Sequence, residues 1–336
     1  MECLDIESAW EEFLQDGTID TNCNIKNSEL VSSVPKPSDI YISTKTKILY
    51  LNHSIDLYNL FWKLNIIPYD NNEEGIIKKQ IKIISLNNSE LEEVQNKLKN
   101  YNYYQQQIIT HLYQQQSDTT IYKDVRKISI GVSQKDLLSY RCKEKSAFYN
   151  CFVLIIRLMY NKKYKEIHVK VFNTGKIEIP GVQNDEIFKM TCNYIINTIN
   201  NLTDKKYIML EDKTETILIN SNFNSGFCIN RQELFTILRR KYNLNVSYDP
   251  CSYPGIQCKY KVDEYNISFM IFRTGSILIV GKCEEHIIYK VYNFLKTILH
   301  DEYNNINEMY NIPIKNKDKT SKSRKKVIYI NSSQLL

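Results

Sequence analysis

The sequence predicts an α+β fold of two pseudo-symmetric repeats, each with an antiparallel sheet and helices on one side of it. The main observation is a sixteen-residue stretch that occurs twice, from Glu166 and again from Asn266, with seven identical positions. Each copy has two alternating apolar runs joined by a Thr-Gly turn, which is typical of a β-hairpin. A segment with apolar residues at helical spacing follows each copy, at 186–199 and 286–299. A repeat of this kind indicates two copies of one supersecondary unit in one fold.

Composition excludes several classes of protein. With 336 residues, 43% of them apolar, the chain can bury a sizeable core. It has no apolar run of membrane-spanning length and no signal peptide, which argues against a secreted or membrane protein. Its nine cysteines are scattered without a CxxC pair, so we expect reduced thiols and no metal site. Because no phosphate-binding loop or HExxH motif is present, we expect neither a cofactor nor catalysis.

The two ends of the chain carry opposite charge. Residues 1–25 have seven acidic side chains and no Lys or Arg, whereas residues 312–336 have seven Lys or Arg and one Asp. Within the leader and linker, residues 1–38, an acidic amphipathic helix is predicted that either docks on a partner or packs on its own domain, unless the leader is disordered. The tail from 312 is predicted to be a flexible basic arm. The mildly basic remainder is compatible with nucleic acid.

The first repeat is predicted to cover residues 39–203. It begins with a strand at 39–51, a helix at 55–64 and a further strand at 75–84 with basic residues in its middle. An insertion at about 86–126 follows, which begins with a possible helix at 89–99. Its centre is rich in Gln, Tyr and Asn, and we expect a mobile surface excursion there.

The second repeat is predicted to cover residues 204–311 and to follow the same order of elements. A strand at 216–223 is followed by a helix that ends near Lys241, and Asn230 is expected to cap the start of that helix. The apolar positions of 229–235 match those of 55–61 in the first repeat. The internal repeat therefore extends upstream of the duplicated hairpins.

Strand alternation sorts the duplicated hairpins into two faces. One face is uniformly apolar and is predicted to be core beneath the helices: Ile167, Val169, Val171, Ile177 and Ile179 in the first copy, and Ile267, Phe269, Ile271, Ile277 and Ile279 in the second. The other face carries Phe172 and Phe272 at twin positions just before the turns. Exposed aromatic side chains at matched positions indicate a ligand, or cover by the insertion, the tail or a second subunit.

Three segments resemble the TATA-box-binding protein family. Residues 247–256 (SYDPCSYPGI) resemble the family's SYEPELFPGL, and residues 271–281 (IFRTGSILIVG) resemble its IFxSGKVVLTG. Residues 224–234 also fit the family pattern. The second repeat matches along its length, while the first is clear mainly over 152–200 and 39–64. The diverged repeat and large insertion look most like the family's members in large nucleocytoplasmic DNA viruses.

This resemblance implies a saddle: one curved antiparallel sheet with helices on the convex face and DNA beneath the concave face. Proteins of this family bind the minor groove and wedge aromatic side chains between base steps. By position, Phe272 with Tyr253 form the wedge pair of the second repeat, and Phe172 with Phe152 that of the first. The other DNA-binding residues that the resemblance implies are Asn220, Asn222, Asn224, Lys259, Lys261, Arg273, Met270, Leu278 and Val280.

Several positions depart from the family pattern. Pro180 and Val280 replace a threonine, and Leu218 replaces a central asparagine. Glu166 and Glu178 are expected to place carboxylates opposite a polyanion, which is repulsive. Two functions therefore remain open: a transcription initiation factor that binds DNA, or a saddle kept as a scaffold for protein contacts or virion assembly.

The resemblance also implies partners and a compartment. The expected partners are double-stranded AT-rich DNA, a TFIIB-like factor and RNA polymerase, without a membrane. The saddle is expected to act as a monomer or as a homodimer through its concave face. A viral protein of this kind is expected in the host cytoplasm, at the viral factory or in the virion, and a cellular one in the nucleus.

Overall fold

The structure is a computed structural model that describes residues 34–116, 119–138 and 148–308. The segments predicted to be an acidic leader helix and a basic tail lie outside these residues, apart from the last few positions of the linker. The chain divides into two compact units. Among the described residues, those between 47 and 215 form the first-repeat unit. Residues 34–46 and 216–308 form the second-repeat unit.

The first-repeat unit contains the first seven strands and four of the helices that the structure describes. In chain order these are β1 (Tyr41–Tyr50), α1 (Leu57–Lys63), β2 (Gly75–Ser85), α2 (Asn88–Leu98), β3 (Tyr104–Gln116), β4 (Thr119–Gly131), α3 (Gln134–Leu138), β5 (Cys151–Tyr160), β6 (Lys163–Phe172), β7 (Lys176–Val182) and α4 (Asp185–Leu202). The strands follow the order β3-β4-β2-β5-β6-β7-β1, and their registered pairs are antiparallel. Residues 47–50 of strand β1 belong to the first-repeat unit, and its residues 41–46 belong to the second-repeat unit.

Helices α1, α2 and α4 cover one side of this sheet. The core between them contains Phe61 of α1, Leu98 of α2 and Ile195 of α4, together with the five hairpin residues predicted to be core. That prediction is confirmed. Helix α4 begins after Asn184, whose side-chain oxygen accepts a hydrogen bond from the Ile187 N–H at 2.9 Å.

The insertion between β2 and β5 is longer and more regular than predicted. The helix expected at 89–99 is confirmed as α2, and the capping residue is Asn87, whose side chain accepts from the Glu90 N–H at 2.8 Å. The expectation of a mobile excursion is wrong over β3 and β4, which pair along their length as an antiparallel hairpin. Strand β4 also pairs with β2, so the insertion adds two strands to the sheet.

The second-repeat unit has the same elements without the insertion. After a 3₁₀ turn (Glu211–Lys213) that precedes this unit, they are β8 (Glu215–Asn224), α5 (Arg231–Arg240), β9 (Asn245–Ser247), β10 (Ile256–Val262), β11 (Tyr265–Ile271), β12 (Ser276–Gly281), α6 (Glu285–Asp301) and α7 (Tyr303–Ile306). The strand order is β1-β8-β12-β11-β10-β9. The predicted α+β class, with antiparallel strands and helices in each repeat, is therefore confirmed.

The core of the second-repeat unit lies between the sheet and helices α5 and α6. All five hairpin residues predicted to be core are buried completely, and they pack with Leu234 of α5 and Leu295 of α6. Asn230 caps α5 as predicted, because its side-chain oxygen accepts from the N–H groups of Gln232 and Glu233 at 3.1 and 3.3 Å.

Each sheet thus has a second face, opposite α1, α2 and α4 in one unit and opposite α5 and α6 in the other. We call this the open face, and it carries Phe172 and Lys170 in the first-repeat unit and Phe272 and Met270 in the second. Within the described part of the chain, no helix is both long and apolar enough to cross a membrane.

Candidate nucleic-acid interface

An aromatic cluster lies on the open face of the second-repeat unit. Met270, Leu278 and Phe272 are almost fully buried there, and the half-buried Tyr253 packs against them. The ring centroids of Tyr253 and Phe272 are 6.0 Å apart, and the Tyr253 hydroxyl donates to Met270 Sδ at 3.5 Å. Burial raises the pKa of Tyr253 to about 12, so its hydroxyl is neutral at physiological pH. The structure therefore brings together the two rings predicted as the wedge pair of this repeat.

Two glycines let the chain present these rings. Gly275, in the β11–β12 turn, has a φ of 80°, and a Cβ there would lie 2.3 Å from the Phe227 carbonyl oxygen. A Cβ on Gly255 would lie 2.8 Å from Cε1 of Phe272 and 3.1 Å from Cε1 of Tyr253. Glycine at position 255 thus makes room for the ring pair.

Asparagine amides line the same face on β8. Asn220, Asn222 and Asn224 pair in register with the open-face residues of β12. Asn224 is bound to the local turn, since its side-chain oxygen accepts from the Gly226 N–H at 2.8 Å. The Asn220 amide donates to Thr44 Oγ1 at 3.0 Å, while its Oδ1 is buried and accepts no hydrogen bond from the described residues. Asn222 therefore offers an amide group to a ligand, whereas the Asn220 amide is bound to Thr44.

Two lysines flank this face on β10. Lys259 and Lys261 are exposed and alternate with Cys258 and Tyr260, which pack on the core side. Their predicted position on the open face follows from this alternation. Arg273 lies at the turn instead, where its Nε is 3.3 Å from Glu308 Oε2, so its charge is partly neutralised. Val280 lies on the open face of β12, partly exposed.

The open face of the first-repeat unit is more polar. Phe172 is partly buried, and Lys176 Nζ lies 4.8 Å from its ring centroid. Lys170 Nζ lies 2.8 Å from Glu178 Oε1, so the carboxylate expected to repel DNA is paired with a lysine. Among the described residues, this face therefore combines Phe172 with cations and shows no buried apolar cluster like that around Phe272.

The placement of Phe152 in a wedge pair is wrong. Phe152 is 1% exposed and lies in the core beneath the helices, 6.1 Å from the Phe61 ring. The reason is its register, because Phe152 pairs with Val171 as Ile256 pairs with Ile271 in the other repeat. A strand residue at that position points to the core side.

The same register gives Tyr149 as the counterpart of Tyr253 in the first repeat, a residue that was not predicted from the sequence. Counting three residues back from Ile256 gives Tyr253, and three back from Phe152 gives Tyr149. Tyr149 is 56% exposed, and Lys82 Nζ lies 3.6 Å from its ring centroid. An aromatic residue three positions before the first core-facing apolar residue of the strand is the signal that could have found it.

One end of the first-repeat open face is covered by the chain itself. Glu166 accepts hydrogen bonds from the Gln134 N–H at 3.0 Å, and burial raises the pKa of its carboxyl group. Arg157 donates to the carbonyls of Glu73 and Tyr69 at 3.1 and 2.7 Å and to that of Asn71. Glu166 is therefore an internal hydrogen-bond acceptor and does not stand free opposite a ligand.

No cluster of three or more His, Cys, Asp or Glu side chains suited to a metal ion occurs among the described residues. The two open faces offer aromatic rings, which can stack on a ligand, and amides and lysines, which can donate hydrogen bonds to it. The fold and these faces define a two-repeat α+β protein with one polar and one partly aromatic open face.

Comparison with known proteins shows similarity to one protein family. Residues 220–301 match the family model of transcription factor TFIID, or TATA-binding protein. A TATA-box-binding protein-like protein of Acanthamoeba polyphaga mimivirus is 27% identical over 183 residues, which cover 47% of this chain and 50% of that protein. A TATA-box-binding protein of Thermoplasma volcanium is 26% identical over 129 residues, which cover 38% and 66%. Residues 220–301 are thus similar to the TATA-binding protein family, and a viral protein is among the relatives of the chain, as predicted.

The extent of these matches is limited. The chain spans about half the length of the mimivirus relative and 66% of the archaeal one. Among solved structures, Methanococcus jannaschii TBP aligns with a TM-score of 0.42 at 14% identity, over 78% of this chain and 98% of that one.

Proposed function

We propose that the protein is a transcription initiation factor that binds the minor groove of AT-rich promoter DNA through its open faces. It acts without catalysis and recruits a TFIIB-like factor and RNA polymerase. The observation that carries this proposal is the Tyr253–Phe272 ring pair on the open face of the second-repeat unit, inside the segment that matches the family model.

The ring pair suits a wedge between base steps. Stacking of one base on an aromatic side chain contributes about 1–3 kcal/mol, which can offset the cost of unstacking a step. Phe272 is packed against Met270 and Leu278 in the free protein, so insertion exchanges these contacts for contacts with bases. Because the Tyr253 hydroxyl is neutral, the pair brings no negative charge to DNA.

The amides and lysines around the rings suit the minor groove. An A·T pair presents only acceptors there, and a side-chain amide supplies the matching donor. Asn222 lies directly beside Leu278 and can make this contact. Lys259 and Lys261 are exposed on β10 and can reach phosphates. We place the stronger DNA contact in the second repeat, because Glu178 places a carboxylate on the open face of the first repeat.

A second candidate function is a scaffold for protein contacts or virion assembly. It is favoured by the first-repeat open face, where Glu166 is enclosed and Lys170 is paired with Glu178. For either function, we place the site of action in the cytoplasm of an infected host. A homodimer through the open faces would belong to the scaffold function.

The test compares fluorescence anisotropy of a TATA-containing duplex and a GC-rich duplex across a salt series. The variants are Phe172→Ala/Phe272→Ala and a chain ending at Asn311, with Tyr289→Ala, an exposed helix residue, as the matched control. We expect the full chain to prefer the TATA duplex by at least tenfold and the double variant alone to lose this preference. Equal binding of both duplexes that disappears with the tail would refute promoter recognition and favour the scaffold.

A further inference from the structure

Strand β3 forms one edge of the sheet in the first-repeat unit. It pairs with β4 on one side, and no strand among the described residues pairs with its other side. The free side of an edge strand is a template for pairing with another strand, and proteins usually protect it with charged residues or proline. Strand β3 is 13 residues long and contains no Lys, Arg, Asp, Glu or Pro. It therefore lacks these two kinds of protection.

Large apolar side chains are exposed on this edge strand. Ile108, Ile109, Leu112 and Tyr113 are all exposed, within six positions of the chain. Removal of apolar surface from water stabilises a complex in proportion to the area buried. A second strand that pairs with β3 would cover part of this surface.

The sequence of β3 is nearly symmetric about its centre. Residues 105–116 read QQQIITHLYQQQ, with three glutamines at each end and two apolar residues inside each glutamine run. When two copies of such a strand pair antiparallel, each kind of residue meets its own kind. A glutamine amide has both donors and an acceptor, so two glutamine runs are compatible when they face each other. The symmetry therefore favours a second copy of the same strand as the partner.

A β-bulge divides β3 into two parts. Ile108 lies opposite Arg126 of β4 and Thr110 lies opposite Val125, so Ile109 is the additional residue of the bulge. The bulge shifts the alternation of side chains by one residue. Ile108 and the residue three positions later, His111, therefore lie on the same face of the sheet.

The bulge places the centre of the symmetry at His111. Twelve residues run from 105 to 116, and without the bulge residue eleven remain, of which His111 is the sixth. Antiparallel pairing of two copies about His111 places Ile108 of each copy opposite Tyr113 of the other. Both residues of this pair lie on the face that carries His111, as direct cross-strand neighbours must. A β-branched residue opposite an aromatic one is a favourable cross-strand pair.

The backbone groups of β3 agree with the same centre. The Tyr103 carbonyl oxygen accepts a hydrogen bond from the Gly131 N–H at 3.2 Å, in the direction of β4. Because the direction of these groups alternates along a strand, those of Gln106 and Ile108 point away from β4. The bulge shifts this alternation too, so the groups of His111 also point away. Two copies centred on His111 therefore present their hydrogen-bonding groups to each other.

We propose that the protein forms a homodimer through β3, in which the two strands pair antiparallel about a two-fold axis at His111. The sheets of the two first-repeat units then form one continuous sheet. An interface of this kind uses the same surface of both copies, so it closes at two copies and does not propagate. This inference goes beyond the proposed function, because it concerns an edge of the sheet and not an open face.

The dimer is compatible with the surroundings of β3. The imidazole of His111 keeps a partner in its own chain, since its Nδ1 is 2.8 Å from Asp124 Oδ2 on β4. A two-fold axis between antiparallel strands of one sheet is perpendicular to that sheet, so the open faces of both first-repeat units remain uncovered. The paired stretch is roughly 35–40 Å long. An interface based on one strand pair is small, so we expect a dissociation constant on the order of micromolar.

The first test is sedimentation velocity of the full chain between about 1 and 200 µM, a range that brackets the expected constant. The variant is Ile108→Thr/His111→Lys. It removes the apolar pairs and sets two cations opposite each other at the axis, while Asp124 of each chain can still accept the introduced ammonium group. The matched control is Leu86→Thr/Tyr289→Lys, which makes the same kinds of change at exposed positions outside β3. Thermal melting shows whether each variant is folded.

The second test places a single added cysteine on β3 and measures disulfide-linked dimer under mild oxidation. His111→Cys sets the cysteines of two copies directly opposite each other, about 5.5 Å apart at Cα, which suits a disulfide. Gln114→Cys, also at an exposed position of β3, sets them about 20 Å apart in the same register. The wild type gives the background from the native cysteines.

We expect the wild type to dimerise and the Ile108→Thr/His111→Lys variant to dimerise at least about tenfold more weakly, because three central cross-strand pairs are lost. The control variant should dimerise like the wild type. His111→Cys should form linked dimer well above the background, and Gln114→Cys should not. If the double variant is unfolded, the two cysteine variants decide.

Three results would overturn the inference. A wild type that remains monomeric at about 200 µM excludes a dimer of the expected strength. A dimer that persists in the folded double variant, or that links equally at positions 111 and 114, forms through another surface, such as the open faces. Assemblies that grow beyond two copies with concentration would show open-ended association of the glutamine-rich edge instead of a closed pair.

Discussion

The buried lysine at position 79 makes the stability of the first-repeat unit depend on pH. Lys79 of β2 is fully buried, and its Nζ donates to the carbonyl oxygens of Phe61 and Leu64, each at 2.7 Å, at the end of α1. A third hydrogen bond, of 2.9 Å, reaches the Tyr101 hydroxyl. Burial lowers the pKa of Lys79 from 10.5 to about 7.

The sign of the effect follows from the two pKa values. Between about pH 7 and 10.5 the unfolded chain binds a proton at Lys79 that the folded protein does not, so stability rises with pH in this window. Below about pH 7 both states are protonated and this contribution is constant. One pKa unit corresponds to about 1.4 kcal/mol, so two pH units above 7 change the free energy of unfolding by about 2–3 kcal/mol.

The perturbation is Lys79→Met, which keeps the length of the side chain and removes the titrating group. Urea unfolding of both proteins at pH 6, 7, 8 and 9 gives the difference in the free energy of unfolding. We expect the free energy of unfolding of the wild type to rise by about 2–3 kcal/mol relative to that of the variant between pH 7 and 9, and by less than about 0.5 kcal/mol between pH 6 and 7. Lys99→Met, at the exposed residue that follows α2, is the control and should show no such trend.

Subtraction of the two curves cancels the tyrosines and cysteines, which titrate alike in both proteins. A difference that stays constant from pH 6 to 9 would show that Lys79 has an ordinary pKa in the folded protein. Burial would then not lower the pKa of this lysine.

Two further predictions concern the open faces. Gly255→Ala places a methyl group 2.8 Å from the Phe272 ring, and we expect a loss of about 1–2 kcal/mol in stability and weaker binding of the TATA duplex. Urea unfolding and anisotropy measure the two effects, and unchanged values of both would show that the Tyr253 and Phe272 rings are not confined. Glu178→Gln releases Lys170, and we expect tighter DNA binding with a salt slope larger by about 1. A slope equal to that of the wild type would show that Lys170 does not reach DNA.

Residues whose environment is local in sequence could be predicted. Alternation in the duplicated hairpins identified the core faces, because each strand pairs with its immediate neighbour through a tight turn. Asn230 could be identified as a cap because the acceptor and its N–H donors are two and three residues apart. The match to the family predicted the contact between Tyr253 and Phe272 for a similar reason, since only two adjacent strands, β10 and β11, and the turn between them separate the two residues.

Residues that depend on strand register or on distant acceptors could not be predicted. Phe152 was placed on the wrong face because a shift in register by one residue exchanges the two faces of a strand. The hairpin of β3 and β4 was missed because its Gln-rich run lacks alternating hydrophobicity. The roles of Lys79 and Arg157 depend on carbonyl groups of other segments, and no pattern in β2 or β5 indicates them.

The division of strand β1 between the two units has a consequence for the order of events during synthesis. Ser43 Oγ donates to the Asn220 carbonyl oxygen across 177 positions of the chain. Residues 41–46 emerge from the ribosome long before β8, their neighbour in the second-repeat unit, has been translated. Contacts so distant in sequence slow folding, because the loop between them must first close. The first-repeat unit can therefore fold early on the ribosome, whereas the second waits for nearly the whole chain.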